Sequence, residues 1–540
     1  MSAQATTRDV APPALPLTLQ IGFAGPRRLL EHLPAEPGAS QQLRDELRAV
    51  LAGLAGTLNL GPQYFFTAVS QLAVGADTVF TELVAELGWP QRILLPQPRA
   101  EFLAAAGSAG PDFLPEQRAH AEQLLQSPHI VEERVVSTAN TRAERFEETN
   151  LRILEEADVL LCVEVQGMAA GPGGTAHLLA RARSRRQRVL VLKLRLAGES
   201  GPLLKLEQHG FDGAGLVISL PRCVQDTHEG IAIRDGELPS LQRYVQVVKM
   251  ACSQRAGRRR VSFRIAAGVV VGSHVAATLA ALLALKLGSS SQWVVAGLLA
   301  FEVALLLWGF LTHLRLHNEH ALRDWAMARL CAETARSVAC LRGMPMAFEH
   351  LRQLALPPEM NSLVKTLNVL HLRDNRACAE PATLEELRQR YLGERLKAQP
   401  PSGQQAYYGA EAGQAHGNYK LASTVFFLMS VLALLATSFK LIVLLWPVGI
   451  DWSMWTGVAG PAAILLPVVA VGFMSFATAM DWEARAHTFN DMHIFVQRQG
   501  DNLASAASLH ELTGLALQTE GRLLGETLNW FARRAYVGVA

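Results

Sequence analysis

The chain has 540 residues, enough for two or three domains, and its 50 Lys+Arg against 48 Asp+Glu leave a formal net charge of +2. That balance singles out no polyanionic partner, so nothing in it supports a nucleic-acid-binding protein. Mean hydropathy of +0.16 is high for a soluble chain, and the apolar excess is concentrated in residues 262–315 and 421–480.

The opening stretch, residues 1–16, has no apolar h-region and is expected to be a short disordered leader rather than a signal peptide. From 17 to 250, apolar runs alternate with amphipathic stretches, the pattern of an α/β domain with a parallel sheet flanked by helices. Strands are expected over 17–25, 63–70, 91–96, 157–165 and 188–194. Three of them run into glycine-containing turns, at the sheet end where open α/β sheets gather ligands.

The first turn is Gly22-Phe23-Ala24-Gly25-Pro26-Arg27-Arg28, in which Pro26 suits the first turn of a helix and Gly25 permits close backbone approach. The second runs from Ser70 through Gly75 to Asp77 and opens the helix TVFTELVAELG. The third, Gly171-Pro172-Gly173-Gly174-Thr175-Ala176, leads into HLLARARSRR. A glycine-rich turn at a helix N-terminus offers free N–H groups and a positive dipole end, which suits phosphate. Arg27 is aimed at the strand ends by its turn, although a solvated surface charge is the ordinary fate of an arginine, including Arg28 and Arg145. Asp77 fits either a helix cap or an acceptor for ribose hydroxyls.

Four segments, about 265–287, 293–313, 421–446 and 455–480, have the roughly 20 apolar residues that a bilayer core requires. They form two hairpins, 251–315 and 419–480, joined by a cytosolic helical segment and linker over 316–418, with C-terminal cytosolic helices in 481–540. Arg255, Arg258, Arg259, Arg260, Arg264, Arg315 and Lys420 flank the spans, and neither hairpin loop carries a Lys or Arg, which predicts both termini inside. Trp293, Trp446, Trp452 and Trp455 mark the opposite boundary. His274 and Glu302 are ionisable groups within the spans, expected at similar depth and able to pair there. The segment 400–417, PPSGQQAYYGAEAGQAHG, reads as a linker by composition. Six scattered cysteines (Cys162, Cys223, Cys252, Cys331, Cys340, Cys378) show no CxxC pair and no metal-ligand spacing, so neither a disulfide framework nor a metal site is expected.

The ordered set GFAGPRR, SQLAVGADTVF, ILLPQP, NLRILEEADVLLCVEV and GPGGTAHLLARAR, over about residues 17–195, resembles the SLOG superfamily. That superfamily includes the lonely-guy cytokinin-activating enzymes, DprA-like proteins and nucleotide sensors of bacterial conflict systems. The resemblance implies a Rossmann-like fold and a nucleotide-derived ligand, held by Gly22, Gly25 and Arg27, by Gly75 and Asp77, and by Gly173, Gly174 and Thr175, with Ser70 at the start of the second turn as a further candidate contact. The lonely-guy enzymes carry a catalytic glutamate after their PGGxGT-type stretch. Here Pro172-Gly173-Gly174-Thr175-Ala176 runs straight into His177-Leu178-Leu179. A turn without its acid points to binding rather than catalysis, with no catalytic residue assigned and Glu164 as a displaced candidate.

The stretch RDWAMARLCAETARS and the closing helix with Glu520, Glu526 and Trp530 are similar to SLATT-type transmembrane effectors, although a strict SLATT unit has one hairpin. Together the resemblances imply a membrane effector of bacterial antiphage or stress defence, multi-pass in the inner membrane. A nucleotide or cyclic-nucleotide-like molecule would trigger it to homo-oligomerise or form a pore. No cofactor is expected beyond that ligand. The alternative is a membrane-anchored enzyme that cleaves a nucleotide or NAD-like substrate.

Overall fold

The computed structural model describes every residue except 1–14, 28, 34–36, 108–109, 166–170, 196–201, 212–220, 226–237, 288–291, 319–320, 346–347, 379–381, 398–402, 446–452 and 536–540. The leader up to residue 14, Arg28, Trp446 and Trp452 therefore lie outside the described residues, as does most of each hairpin loop. Two compact units divide the chain, Met1–Val248 with Leu356–Pro381, and Lys249–Ala355 with Ala382–Ala540.

The first unit is built on a seven-stranded sheet of β1 (Leu17–Ala24), β2 (Tyr64–Ser70), β3 (Gln91–Leu95), β4 (Ile130–Val135), β5 (Val159–Glu164), β6 (Val189–Leu194) and β7 (Leu204–His209). Their spatial order is β4-β3-β2-β1-β5-β6-β7, parallel throughout except for β7, which runs antiparallel to β6. The strands β1, β2, β3, β5 and β6 fall where the apolar runs predict them. β4 (IVEERV) and β7 (LKLEQH) escape that reading because edge strands bury less and carry charges along their length.

Helices α1 (Ala39–Ala52), α2 (Ala76–Glu86), α3 (Pro115–Leu125), α4 (Arg142–Glu156) and α5 (Thr175–Ser184) accompany the strands. α4 starts on a capping box in which the Thr141 hydroxyl accepts the Glu144 N–H. Its face of Phe146, Thr149, Asn150, Ile153 and Leu154 is buried. Every residue of β1 is buried, and its polar members are matched: Thr18 and Thr67 hydroxyls meet at 2.7 Å. Arg92 is also buried, clamped by Glu132 and Glu156 at 2.6 Å each.

One element of this unit comes from far along the sequence. The helix Asn361–Ala377 packs on β1, where its Thr366 hydroxyl accepts the Thr18 N–H at 2.9 Å and Lys365 meets Asp158 at 2.5 Å. In the sequence this helix belongs to the 316–418 stretch between the hairpins; in the structure it completes the α/β unit. Asp374 accepts the Leu241 N–H at 2.8 Å, and Arg373 holds the Leu238 and Pro239 carbonyls.

The second unit is helical. Four helices are long and apolar enough to cross a membrane: Leu241–Lys286 (which begins in the first unit), Gln292–Asn318, Gln404–Leu445 and Ser453–Ala479. Their most apolar windows are 6–22% buried. A water-soluble core helix would have its apolar face covered, so lipid is the fitting neighbour. The segment 404–417, a linker by composition, is instead the start of the third of these helices. Its Ala, Gln and Glu residues are good helix formers and outweigh the three glycines.

The first hairpin also departs from expectation. A side chain at Gly309 would run into the Ser273 hydroxyl at 2.3 Å and the His274 ring at 3.5 Å, so His274 lies level with Gly309. Glu302 is then two turns away, roughly 10 Å along the helix. His274 Nδ1 instead sits 2.7 Å from the carbonyl of Val270 in its own helix, and among the described residues no ion pair joins it to Glu302.

Outside the spans, Ala321–Cys340, Trp482–Ser505 and Leu509–Ala535 pack around a buried polar cluster. Arg395 and Glu520, both 0% exposed, form a two-bond pair at 2.8 Å each, and the Tyr391 hydroxyl donates to the same carboxylate at 2.8 Å. Tyr391–Leu396 forms a π-helical turn. Two Asp-Trp dipeptides, Asp324-Trp325 and Asp481-Trp482, are used similarly. Asp324 meets Arg255 and Arg259 while Trp325 packs edge-on to Trp530 at 4.9 Å; Asp481 meets Arg534 while Trp482 packs on Phe476.

Candidate ligand-binding site

In the sheet order the chain moves outward from β1 to β4, then returns to β5 on the other side of β1. The strand order reverses between β1 and β5, and a crevice outside their carboxyl ends is the expected ligand position. A cavity of about 470 Å³ lies there, lined by the first turn from Phe23 to Arg27, by Gln71, Ala73 and Asp77, and by Gly171 to Thr175. His32, Phe146 and Asn150 complete it. The volume is in the range of small-molecule sites.

Two glycines make the walls possible. Gly75 has φ +99, and a Cβ there would stand 2.1 Å from the Arg27 carbonyl oxygen. The first and second turns thus touch through their backbones, with the Ala76 N–H donating to the Pro26 carbonyl at 3.2 Å. Gly173 has φ +76 and abuts Phe146 and the Ala143 carbonyl on α4. Its N–H donates to Glu147 at 2.9 Å, and its carbonyl accepts from Asn150 at 2.9 Å. Gln71 holds Asn150 in turn, at 2.5 Å.

The electrostatics are uneven. The Arg27 guanidinium stacks over the Phe146 ring, 4.0 Å from its centroid, with no ion-pair partner among the described residues. Burial holds it below the usual arginine range, helped by Arg142 and opposed by Asp112 and Asp77. Asp77 is buried at the start of α2; its Oδ2 accepts the Ala73 N–H at 3.2 Å, while Oδ1 has no hydrogen-bond partner among the described residues. Burial pushes its carboxyl up to about 7, against the pull of the Ala73 N–H, Arg27 and the Gly25 N–H. At the far wall α5 begins, and among the described residues no acceptor meets the N–H groups of Thr175 and Ala176. The arrangement offers one cation, one helix N-terminus and one carboxyl poised near neutrality around a single cavity.

Of the residues expected from sequence, Gly25, Arg27, Asp77, Gly173, Gly174 and Thr175 line this cavity. Gly22 does not: a Cβ there would meet Ala157 and Ile153, so it serves the packing of β1 under α4. Ser70 is buried at the end of β2, and Gly75 supports the wall from behind. Even Gly25 owes its lack of a side chain to Ala76, whose Cβ would lie 2.3 Å away. Glu164 closes β5 without lining the cavity. Arg145 is structural, donating to Ala139 and Gln97.

His32, Gln71, Phe146 and Asn150 were not singled out in the sequence. Phe146 and Asn150 sit four apart on α4 and point into the site from a helix that reads simply as amphipathic. A carboxylate does reach the third turn, but from α4 rather than from the residues that follow the turn. Glu147 lies 3.1 Å from Arg181 and 3.5 Å from His177. Compared with known protein families, curated proteins and solved structures, the chain matches none.

Proposed function

We propose that the protein is a membrane-embedded sensor. Its α/β unit binds a nucleotide-derived anion in the switch-point cavity, and binding drives the membrane part to oligomerise or breach the bilayer. The observation that carries this reading is Arg27, stacked on Phe146 with no ion-pair partner among the described residues and facing a cavity that ends at the N-terminus of α5. A nucleotide supplies a phosphate for the arginine and the helix end, and hydroxyls for Asp77. The resemblance of its sequence motifs to SLOG and SLATT proteins favours a role in bacterial antiphage or stress defence, in the inner membrane with both termini inside. Gating requires that the ligand bind the active arrangement better than the resting one.

The test is a thermal-shift series on the full chain in detergent, since helix Asn361–Ala377 belongs to the α/β unit and a fragment ending near residue 250 would lack it. Linear and cyclic nucleotides, NAD and ADP-ribose are the probes. A stabilising compound recovered intact, and ineffective on Arg27→Gln or Gly174→Glu, supports the sensor and leads to vesicle-leakage assays. A full set of compounds with no shift would sink the nucleotide reading. The second reading, an anchored enzyme cleaving a nucleotide or NAD-like substrate, draws on Glu147, which brings an acid to the third turn. Its Oε2 is occupied by the Gly173 N–H, which suits positioning better than proton transfer; turnover of a hit would reverse that judgement.

A further inference from the structure

At the base of the membrane bundle, two arginines converge on one carboxylate and a third lies one helical turn from the first of them. Arg260 and Arg264 lie on the helix Leu241–Lys286 just before its apolar stretch, and Arg485 lies just after that of Ser453–Ala479. Glu411 reaches them from the helix Gln404–Leu445. Arg260 is 3.6 Å from Glu411 Oε1, and Arg485 binds Oε2. Arg264 has no ion-pair partner among the described residues; burial, Arg260 and Arg485 together hold its guanidinium below the usual range, and Glu411 only partly offsets them. The Arg485 guanidinium also lies 5.2 Å from the Phe489 ring centroid.

Among the described residues two guanidiniums share a single carboxylate and a third has none, so this partly buried corner carries an excess of positive charge. Such a corner is unfavourable unless an anion completes it, and arginine forks match phosphoryl oxygens well. The position, one turn outside two apolar spans, is the level at which phospholipid phosphates lie. The geometry points to a phosphoryl-binding site formed by Arg260, Arg264 and Arg485, with the headgroup of an anionic phospholipid as its occupant. This site is independent of the switch-point cavity.

The experiment uses the full chain, reconstituted in vesicles of phosphatidylcholine alone or with phosphatidylglycerol, and in detergent with and without inorganic phosphate. Binding is read as retained lipid and as thermal shift. Phosphatidylglycerol is expected to be retained selectively and to stabilise the wild type. Arg264→Gln, which breaks no ion pair, should retain it about tenfold more weakly, the usual worth of one charge-assisted contact. Glu411→Gln removes the competing carboxylate and should bind it more tightly, an outcome that a purely structural cluster would not produce. Stabilisation by inorganic phosphate in detergent, lost in Arg264→Gln, would keep the site and make free phosphate its source. Equal behaviour of wild type, Arg264→Gln and Glu411→Gln toward every probe overturns the proposal.

Discussion

Two arginine–carboxylate neighbours are treated in opposite ways, one fully buried in the helical unit and one half-buried at the cavity of the α/β unit. In the helical unit, Arg395 and Glu520 are fully enclosed and bonded to each other twice, with Tyr391 on the carboxylate and Glu333 3.5 Å from the remaining Arg395 nitrogen. In the α/β unit, Arg27 rests on an aromatic face and Asp77 keeps one oxygen unpartnered among the described residues. Buried charge is tolerated when its bonds are made and is costly when they are not. The open pair is the one that the proposed ligand would complete. This contrast, more than the glycine turns themselves, separates a structural cluster from a candidate site.

The contrast breaks first at Glu520. Replacing it with Ala leaves Arg395 buried with its main partner gone, and the expected loss is roughly 3–5 kcal/mol. The full chain in detergent should then unfold at a much lower temperature or fail to accumulate. The corresponding change at the open pair, Arg27→Gln, should move the unfolding temperature little while removing the response to nucleotides. Comparable destabilisation by both substitutions would mean that Arg27 is structural after all.

Asp77 sharpens the same contrast through pH. Burial raises its carboxyl from 3.8 to about 7, so the folded state holds the proton more tightly than the unfolded chain does. The stability that this group contributes is therefore whole below about pH 4 and is lost as pH climbs through about 7. The apparent unfolding temperature of the α/β unit should fall across that window, and Asp77→Asn should flatten the fall. Glu520 behaves oppositely: despite its burial, Arg395 and Tyr391 hold it below the usual carboxylate range, and its contribution is present at neutral pH and lost on acidification. A profile unchanged by Asp77→Asn would show that the carboxyl is hydrated and ordinary.

A smaller effect is expected at the support for β1. Thr366→Val removes the acceptor for the buried Thr18 N–H and should cost about 1–3 kcal/mol, read by thermal unfolding. No measurable loss would mean that the helix Asn361–Ala377 contributes little to the sheet. This helix also marks where sequence reasoning stopped. Five of the seven strands and the four long apolar helices were legible because a short or a twenty-residue apolar run is a local signal. The return of Asn361–Ala377 to a strand more than 300 residues earlier leaves no such trace: its amphipathic pattern says that it packs, not on what. The cavity divides in the same way. Turn glycines announced its three walls, whereas Phe146 and Asn150 were hidden in the buried face of α4, where an inward aromatic or amide reads as core. Gly22 misled for the complementary reason, since a missing Cβ serves a helix crossing as readily as a ligand.

The smallest expected effect concerns His274 and Glu302, and it tests hairpin register directly. Counting residues from the hairpin ends puts them at one depth, which would couple them as an ion pair. The contact between Gly309 and Ser273 fixes a different register and sets them about two turns apart, with His274 bonded within its own helix. In a double-mutant cycle of His274→Ala and Glu302→Gln, the two changes should then add within about 0.5 kcal/mol. Gly309→Leu, in contrast, should force the two helices apart and destabilise the hairpin by itself, because the Ser273 hydroxyl already occupies the space its side chain needs. A coupling of 1 kcal/mol or more, taken as a rough threshold, would restore the paired arrangement and make the polar pair part of the membrane mechanism.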